Sequence, residues 1–190
     1  PGSLAFETTF IAAIKAVADA VKIPVLVKLA PGPSVTGQAI AAEQCGAAAV
    51  TLCNRIRGLD VDIESQRPIL HGYYAGVGGP WAKYYTMMHV AEARKAISIP
   101  ISATGGTMTG EDVIKYILVG ATTVQILSVI MVNGWESITR MNEELQEYMV
   151  RKGISSLEEI RGKAVEHLTK PEEIIRWSGE PIEGPRNVWR

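Results

Sequence analysis

Apolar and polar positions along the chain follow two periods. Four short runs, Ile23–Val27, Ala48–Cys53, Ile99–Ala103 and Ala121–Leu127, are nearly continuous in apolar residues instead of alternating. Such runs mark strands buried on both faces, the environment of a parallel sheet under helices. Between them the period becomes helical. Residues 5–20 are Ala-rich and precede the first run, 36–45 separate the first two, and 80–97 precede the third. Within 80–97, Trp81, Tyr84, Met88 and Ala91 stand three and four apart, which predicts a single apolar helical stripe. Residues 110–119 follow Thr109, with Asp112 three positions on in the pattern of a capping box, and stop at Gly120.

The predicted order is α-β-α-β-loop-α-β-α-β, then more helix. Repeated βα units imply right-handed crossovers and one parallel sheet. Four such units are half of a (β/α)8 barrel, whose complete form needs about 250 residues. The expected fold class is therefore α/β, of the (β/α)8 TIM-barrel type, with about four parallel βα units present and C-terminal helices appended. Residues 54–79 are a 26-residue stretch holding Gly58, Pro68, Gly72, Gly76, Gly78 and Gly79. Loops that long inside compact domains are usually functional or disordered. This one follows a strand C-terminus, where α/β folds bind ligands.

Composition narrows the class. The 190 residues are 47% hydrophobic and 21% charged, with a formal net charge of −1, as expected of one globular domain. That balance provides no electrostatic footprint for nucleic acid or an anionic membrane. No apolar run approaches the roughly 18 residues of a membrane span, no secretory leader pattern opens the chain, and a first residue Pro1 in place of Met reads as a processed, tagged or truncated start. With only Cys45 and Cys53, neither an iron–sulfur cluster nor a four-thiolate zinc site can be built from this chain alone, and a reducing cytoplasm is the expected location. Residues 1–132 carry 19 charged side chains and residues 133–190 carry 20, so the C-terminal third reads as solvent-facing or partner-facing helices.

Candidate chemistry gathers at strand ends. Gly105-Gly106 follows the third strand and leads into a helix, so its backbone can approach an anion closely; taken alone, the pair reads first as a simple turn. Ser128 ends the fourth strand with a hydroxyl. Loops after the last two strands of a barrel frequently hold phosphate. Lys28 closes an apolar strand, where it either stabilises an anion or snorkels. Asn54 closes the next, where it either reads a heterocycle edge or forms a turn. Cys53 reads as an inert buried thiol and Cys45 as core. His71, His89 and His167 show no metal spacing, and the Arg55, Arg57, Asp60, Asp62, Glu64 run reads as a solvated loop.

In order and spacing these segments resemble the carboxyl-terminal half of the dihydroorotate dehydrogenase-like flavin barrels, with the dihydropyrimidine dehydrogenases as the most similar branch. The resemblance covers about residues 5–163. It rests on Ile-Pro-Val-Leu-Val-Lys28-Leu-Ala-Pro31, Val-Thr-Leu-Cys-Asn54 with Gly58-Leu59, Gly76-Val-Gly78-Gly79, Ile-Ser-Ala-Thr-Gly105-Gly106, and Gly120-Ala-Thr-Thr-Val-Gln125-Ile-Leu-Ser128. A tail from Tyr148 through Ser156-Leu157-Glu158-Glu159-Ile160-Arg161-Gly162 resembles the family's closing helices.

The resemblance implies FMN across the barrel mouth. Lys28 would sit near the pyrimidine edge of the flavin ring and Asn54 against flavin or substrate. Gly78, Gly79, Gly105, Gly106 and Ser128 would line the ribityl-phosphate path. It implies residues 1–132 as the second half of an FMN barrel, 133–163 as its closing helices, and 164–190 as an extension of unknown role. The activity implied is oxidoreduction of a CH–CH bond in a pyrimidine-like ring, of dihydropyrimidine or dihydroorotate type. No catalytic residue falls in this chain, because the family's Cys or Ser base belongs to the missing first half. The implied partners are a pyrimidine-like substrate, a segment or second chain completing the barrel, and an electron-transfer subunit. Two departures stand out: Arg55 replaces the usual Thr or Ser after the asparagine, and Leu127-Ser128 replaces the Gly-Thr of the dihydroorotate branch. Two other readings are a half-barrel that binds FMN or phosphate without catalysis, and a non-flavin aldolase- or isomerase-type barrel using Lys28.

Overall fold

The computed structural model describes residues 3–32, 34–53, 55–69 and 74–169. In chain order the elements are α1 (Ser3–Ala20), β1 (Leu26–Lys28), α2 (Val35–Gln44), β2 (Ala49–Leu52), β3 (Ile56–Gly58), β4 (Val61–Asp62), β5 (Arg67–Pro68), β6 (Ala75–Val77), α3 (Ala82–Ala96), β7 (Ile101–Thr104), α4 (Gly110–Leu118), β8 (Thr123–Gln125), α5 (Ser128–Asn133) and α6 (Glu136–Lys152). Two 3-10 turns follow, at Leu157–Glu159 and Lys163–His167.

Four strands form one parallel sheet in the order β1-β2-β7-β8. One helix, α2, α3 or α4, joins each pair of neighbours, so the sheet is a run of βα units laid side by side as in a barrel wall. No closed barrel forms among the described residues, and β1 and β8 are the sheet's edges. The core lies on the helix side, where Val50, Leu52, Ile101 and Ala103 meet Ala39, Ala42, Val90, Ala93 and Tyr116. Alternation along a strand sends the intervening residues to the other face. There the register aligns Lys28, Thr51, Ser102 and Thr123 in a single row across all four strands. Thr123 Oγ1 donates to Ser102 Oγ at 2.8 Å. Gln125 Nε2 donates to Ser102 Oγ at 2.9 Å and to Thr51 Oγ1 at 3.2 Å. The inner face of the sheet is thus polar and bonded to itself.

Burial on both faces, expected for all four strands, holds for β2 and nearly for β7. It fails for β1 and β8, where Leu26 is 59% exposed and Thr123 and Gln125 are exposed, because an edge strand has a neighbour on one side only. The apolar stripe on α3 also differs. Trp81, Tyr84 and Met88 are 49%, 51% and 48% exposed, and the buried face is instead Ala82, Thr86, His89, Val90, Ala91 and Ala93. Small side chains let a helix lie close on a parallel sheet, so the bulky ones fall outside. The long segment after β2 is neither structureless nor one simple loop. β3 pairs antiparallel with β6, and β4 with β5, forming a β-arm over the strand ends.

Thr109 caps α4 as expected, its Oγ1 accepting the Asp112 N–H at 3.3 Å. The Asp112 carboxylate does not complete the box: it takes the Met108 N–H at 2.9 Å and the Lys83 ammonium. α6 packs along α4, and Glu144 Oε2 accepts the Gly110 N–H at 2.6 Å. Asn54, His71 and residues 170–190 lie outside the described residues.

Candidate functional site

The C-terminal ends of the four strands open into a cleft of about 620 Å3. Its phosphate-sized end is built from backbone. β7 ends at Thr104, whose carbonyl accepts the Thr86 hydroxyl at 3.2 Å. The chain then turns through Gly105 (φ +124°) and Gly106 (φ +72°). Tyr116, fully buried, donates its hydroxyl to the Gly105 carbonyl at 2.6 Å, and burial raises this phenol's pKa. A Cβ at Gly106 would stand 2.5 Å from the Lys83 backbone nitrogen and 2.9 Å from the Gly79 carbonyl oxygen. Gly106 therefore sits where only glycine fits, wedged between the start of α3 and the glycine turn after β6.

Asp112 anchors the far side of this turn through Met108 and Lys83, the latter at Nζ–Oδ1 2.5 Å. Burial alone would raise its carboxyl. The Lys83 and Met108 hydrogen bonds outweigh that and hold it below the ordinary carboxylate range. Between the anchors lies Thr107, 4% exposed and lining the cleft, whose hydroxyl has no partner among the described residues. A buried hydroxyl without a partner costs free energy that a ligand oxygen would recover.

Six of the seven residues predicted from sequence, Lys28, Gly78, Gly79, Gly105, Gly106 and Ser128, line this one cleft. The seventh, Asn54, is not described, but its neighbours Cys53 and Arg55 line the same cleft. Cys53 is buried, which pushes its thiol up to about 11, in keeping with an inert group. Arg55 does not belong to a plain solvated loop: it joins the cleft wall, while Arg57 and Asp62 lie in paired strands of the β-arm. Lys28 and Arg55 are cationic, and no Asp or Glu is among the described lining residues, so the cleft suits an anion. Sequence reasoning missed Thr107, Tyr116 and Gln125. Thr107 directly follows the glycine pair and was the most readable of the three. Among the described residues no group of three His, Cys, Asp or Glu could hold a metal, and no helix is long and apolar enough to cross a membrane.

A sequence profile of the family described as dihydroorotate dehydrogenase matches residues 5–149. The chain is 35% identical over 156 residues to the Thermococcus kodakarensis protein named dihydroorotate dehydrogenase B (NAD(+)), catalytic subunit, covering 82% of this chain and 52% of that protein. Proteins of the same name are 36% identical over 149 residues in Caldicellulosiruptor saccharolyticus, covering 78% and 49%, and 34% identical over 160 residues in Methanothermobacter thermautotrophicus, covering 83% and 52%. The chain spans about half the length of the curated relatives it matches. The family profile spans most of this chain and these relatives are more than 30% identical over about four fifths of it, so the chain belongs to the dihydroorotate dehydrogenase family.

Proposed function

We propose that this chain is half of an FMN-dependent oxidoreductase of the dihydroorotate dehydrogenase type, acting on a CH–CH bond of a pyrimidine-like ring and incomplete without the barrel's first half. The observation that carries the reading is the unpartnered Thr107 hydroxyl beside the Gly105-Gly106 turn, in one cleft with Ser128 and Lys28 and no lining carboxylate among the described residues. These residues fit FMN. Glycine backbone and two hydroxyls suit a phosphate, and a lysine suits a ring edge that gains negative charge. When bound, the flavin supplies the two-electron chemistry.

The chain's own residues bind and orient. The turn at Gly105 and Gly106, held by Tyr116 and Thr86, presents backbone to the phosphate, and Thr107 and Ser128 add hydroxyls. Lys28 holds a positive charge fixed before reaction. Asn54 contacts flavin or substrate, and Gly78 and Gly79 leave room along the ribityl path. Burial keeps the Cys53 thiol well above its ordinary range, and the resemblance to the family implies that the base, a Cys or Ser, belongs to the completing segment. In this reading residues 1–132 are the half-barrel, 133–163 close it, and 164–190 extend beyond it. The partners are a pyrimidine-like substrate, the completing segment or chain, and an electron-transfer subunit; the relatives' designation as catalytic subunits supports the last. The two free cysteines support a cytoplasmic setting.

The test is flavin loading of the chain purified with its completing segment. The expected product is yellow, with FMN bound in equal amount to the barrel. Ser128→Asp, at an exposed position, should lower FMN occupancy at least tenfold without changing the melting temperature. Full flavin absorbance in that variant would overturn the phosphate assignment. A colourless protein with a borohydride-trapped adduct at Lys28 would shift the reading to an aldolase-type barrel.

A further inference from the structure

Gln125 is the last residue of β8 and lies one step nearer the cleft than the polar row. Its register partner is Thr104, whereas Thr123, two positions earlier, pairs with Ser102. From this edge strand the side chain reaches across β7 to β2. Its Nε2 donates to Ser102 Oγ at 2.9 Å and to Thr51 Oγ1 at 3.2 Å. Adjacent strands stand about 4.8 Å apart, so the amide lies over the middle of the sheet and not beside its own backbone. Beneath it, Ser102 and Thr51 are 6% and 4% exposed and are not among the residues lining the cleft, whereas Gln125 is. The amide is therefore part of the cleft floor.

An amide nitrogen carries two hydrogens, and both are spent on these hydroxyls. Oxygen and nitrogen diverge from one carbon, so with the nitrogen on the row the oxygen turns off the sheet and toward the cleft. What Gln125 presents there is an acceptor. Lys28 adjoins it with a cationic donor: it is the register partner of Thr51 and lines the same cleft. An acceptor beside a donor matches one chemical pattern, a ring N–H next to a ring carbonyl. A flavin and a uracil-type pyrimidine both carry that imide edge.

We propose that Gln125 is a specificity residue whose Oε1 accepts the ring N–H of an imide edge, and that Thr51 and Ser102 are the positioning residues that hold its amide. This rests on the reading of the cleft as the site of a flavin and a pyrimidine-like ring. An amide already bonded to the sheet gives up little freedom when the ring arrives. A ring whose nitrogen carries a methyl group has no hydrogen to donate, and a ring N–H dried against an apolar floor has no acceptor. Each change should cost about tenfold in affinity.

The test uses the full chain assembled with its completing segment and stripped of flavin. Calorimetry compares FMN with its N3-methyl derivative, and uracil with 3-methyluracil. The N–H member of at least one pair should bind about tenfold more tightly. Gln125→Met, of similar length and without an acceptor, should abolish that preference at unchanged melting temperature. Gln125→Glu, which keeps an acceptor, should retain it. Ser102→Ala frees one side of the amide without touching the cleft and should cost part of it; an undiminished preference there overturns the positioning role. Loss in the FMN pair identifies the flavin as the donor, and loss in the uracil pair identifies the pyrimidine. Equal binding within both pairs, no binding of either, or a preference that survives Gln125→Met would overturn the proposal. If the Met variant does not fold, Gln125→Asn, too short to span from β8 to Thr51, takes its place and must lose the preference. An assembly that takes up no FMN but prefers uracil through Gln125 leaves this inference standing and removes the flavin reading. FMN loading with no Gln125-dependent preference in either pair does the reverse.

Discussion

Lys28 ends the polar row of the sheet and opens onto the cleft, so its charge is set in place by the strand and not by a flexible loop. In the proposed site it favours the anionic reduced flavin. Lys28→Ala should make the bound flavin harder to reduce. A charge-assisted contact is worth roughly 1.5–3 kcal/mol, and about 1.4 kcal/mol corresponds to about 30 mV for a two-electron couple. A spectroelectrochemical titration should therefore find a potential lower by some tens of millivolts; an unchanged value would leave Lys28 as a snorkelling side chain. Asp112 acts on stability instead. Its folded-state carboxyl lies below its usual value, so its contribution is present above the unfolded pKa of about 4 and is lost as pH falls through the lowered folded value. Asp112→Asn strands the Lys83 ammonium and should cost about 3 kcal/mol at neutral pH. Urea unfolding against pH should show the gap between the two proteins closing below pH 4. Lys28 was legible in the sequence because a lone cation ending an apolar run is conspicuous. The place of Arg55 in the cleft wall was not legible, because its stem lies over Gly76, some twenty residues away and on another strand, where a Cβ would stand 2.6 Å from Arg55 Cδ.

At the scale of elements, the glycine turn after β7 is held from α3 and α4. Thr86 fixes the Thr104 carbonyl, and Tyr116 fixes the Gly105 carbonyl. Tyr116→Phe leaves that carbonyl without its hydroxyl donor. It should cost about 1–3 kcal/mol in stability and weaken FMN binding in the same variant, read by denaturant unfolding and by flavin titration. Gly106→Ala should destabilise even without flavin, because its Cβ meets the Lys83 backbone before it meets any ligand. That constraint makes Ser128 a better reporter of phosphate binding than Gly106. The strands and helices that carry these contacts were readable from hydrophobic period and from the Thr109 cap. The exposed stripe on α3 was misread, since Trp81, Tyr84 and Met88 have the right spacing and only the close approach of helix to sheet turns them outward. The β-arm escaped notice because its strands, of two or three residues, are too short to show alternation.

At the scale of the molecule, the sheet has two edges, β1 and β8, each exposing the inner half of its side chains. Unpaired parallel edges invite pairing with other chains. The isolated chain should therefore scatter light as dimers or larger species and be poor in flavin, with no turnover of dihydroorotate or dihydropyrimidine. Adding the first-half segment should convert it to a one-to-one, flavin-binding species. A flavin-loaded, active monomer of this chain alone would contradict both the incomplete barrel and the placement of the base elsewhere. The half-barrel was legible because the order of elements carries topology; what closes it was not, since sheet order says nothing of what lies beyond an edge. The row joining Thr51, Ser102, Thr123 and Gln125 bears on the sequence of events during assembly. A greasy inner face would collapse on any apolar surface it met. This face carries its own donors and acceptors and tolerates water, so the sheet can form first and wait. In the proposed complete barrel, closure would then be the docking of two finished pieces, and a partner that offers this polar row no polar groups would be turned away by the cost of drying it.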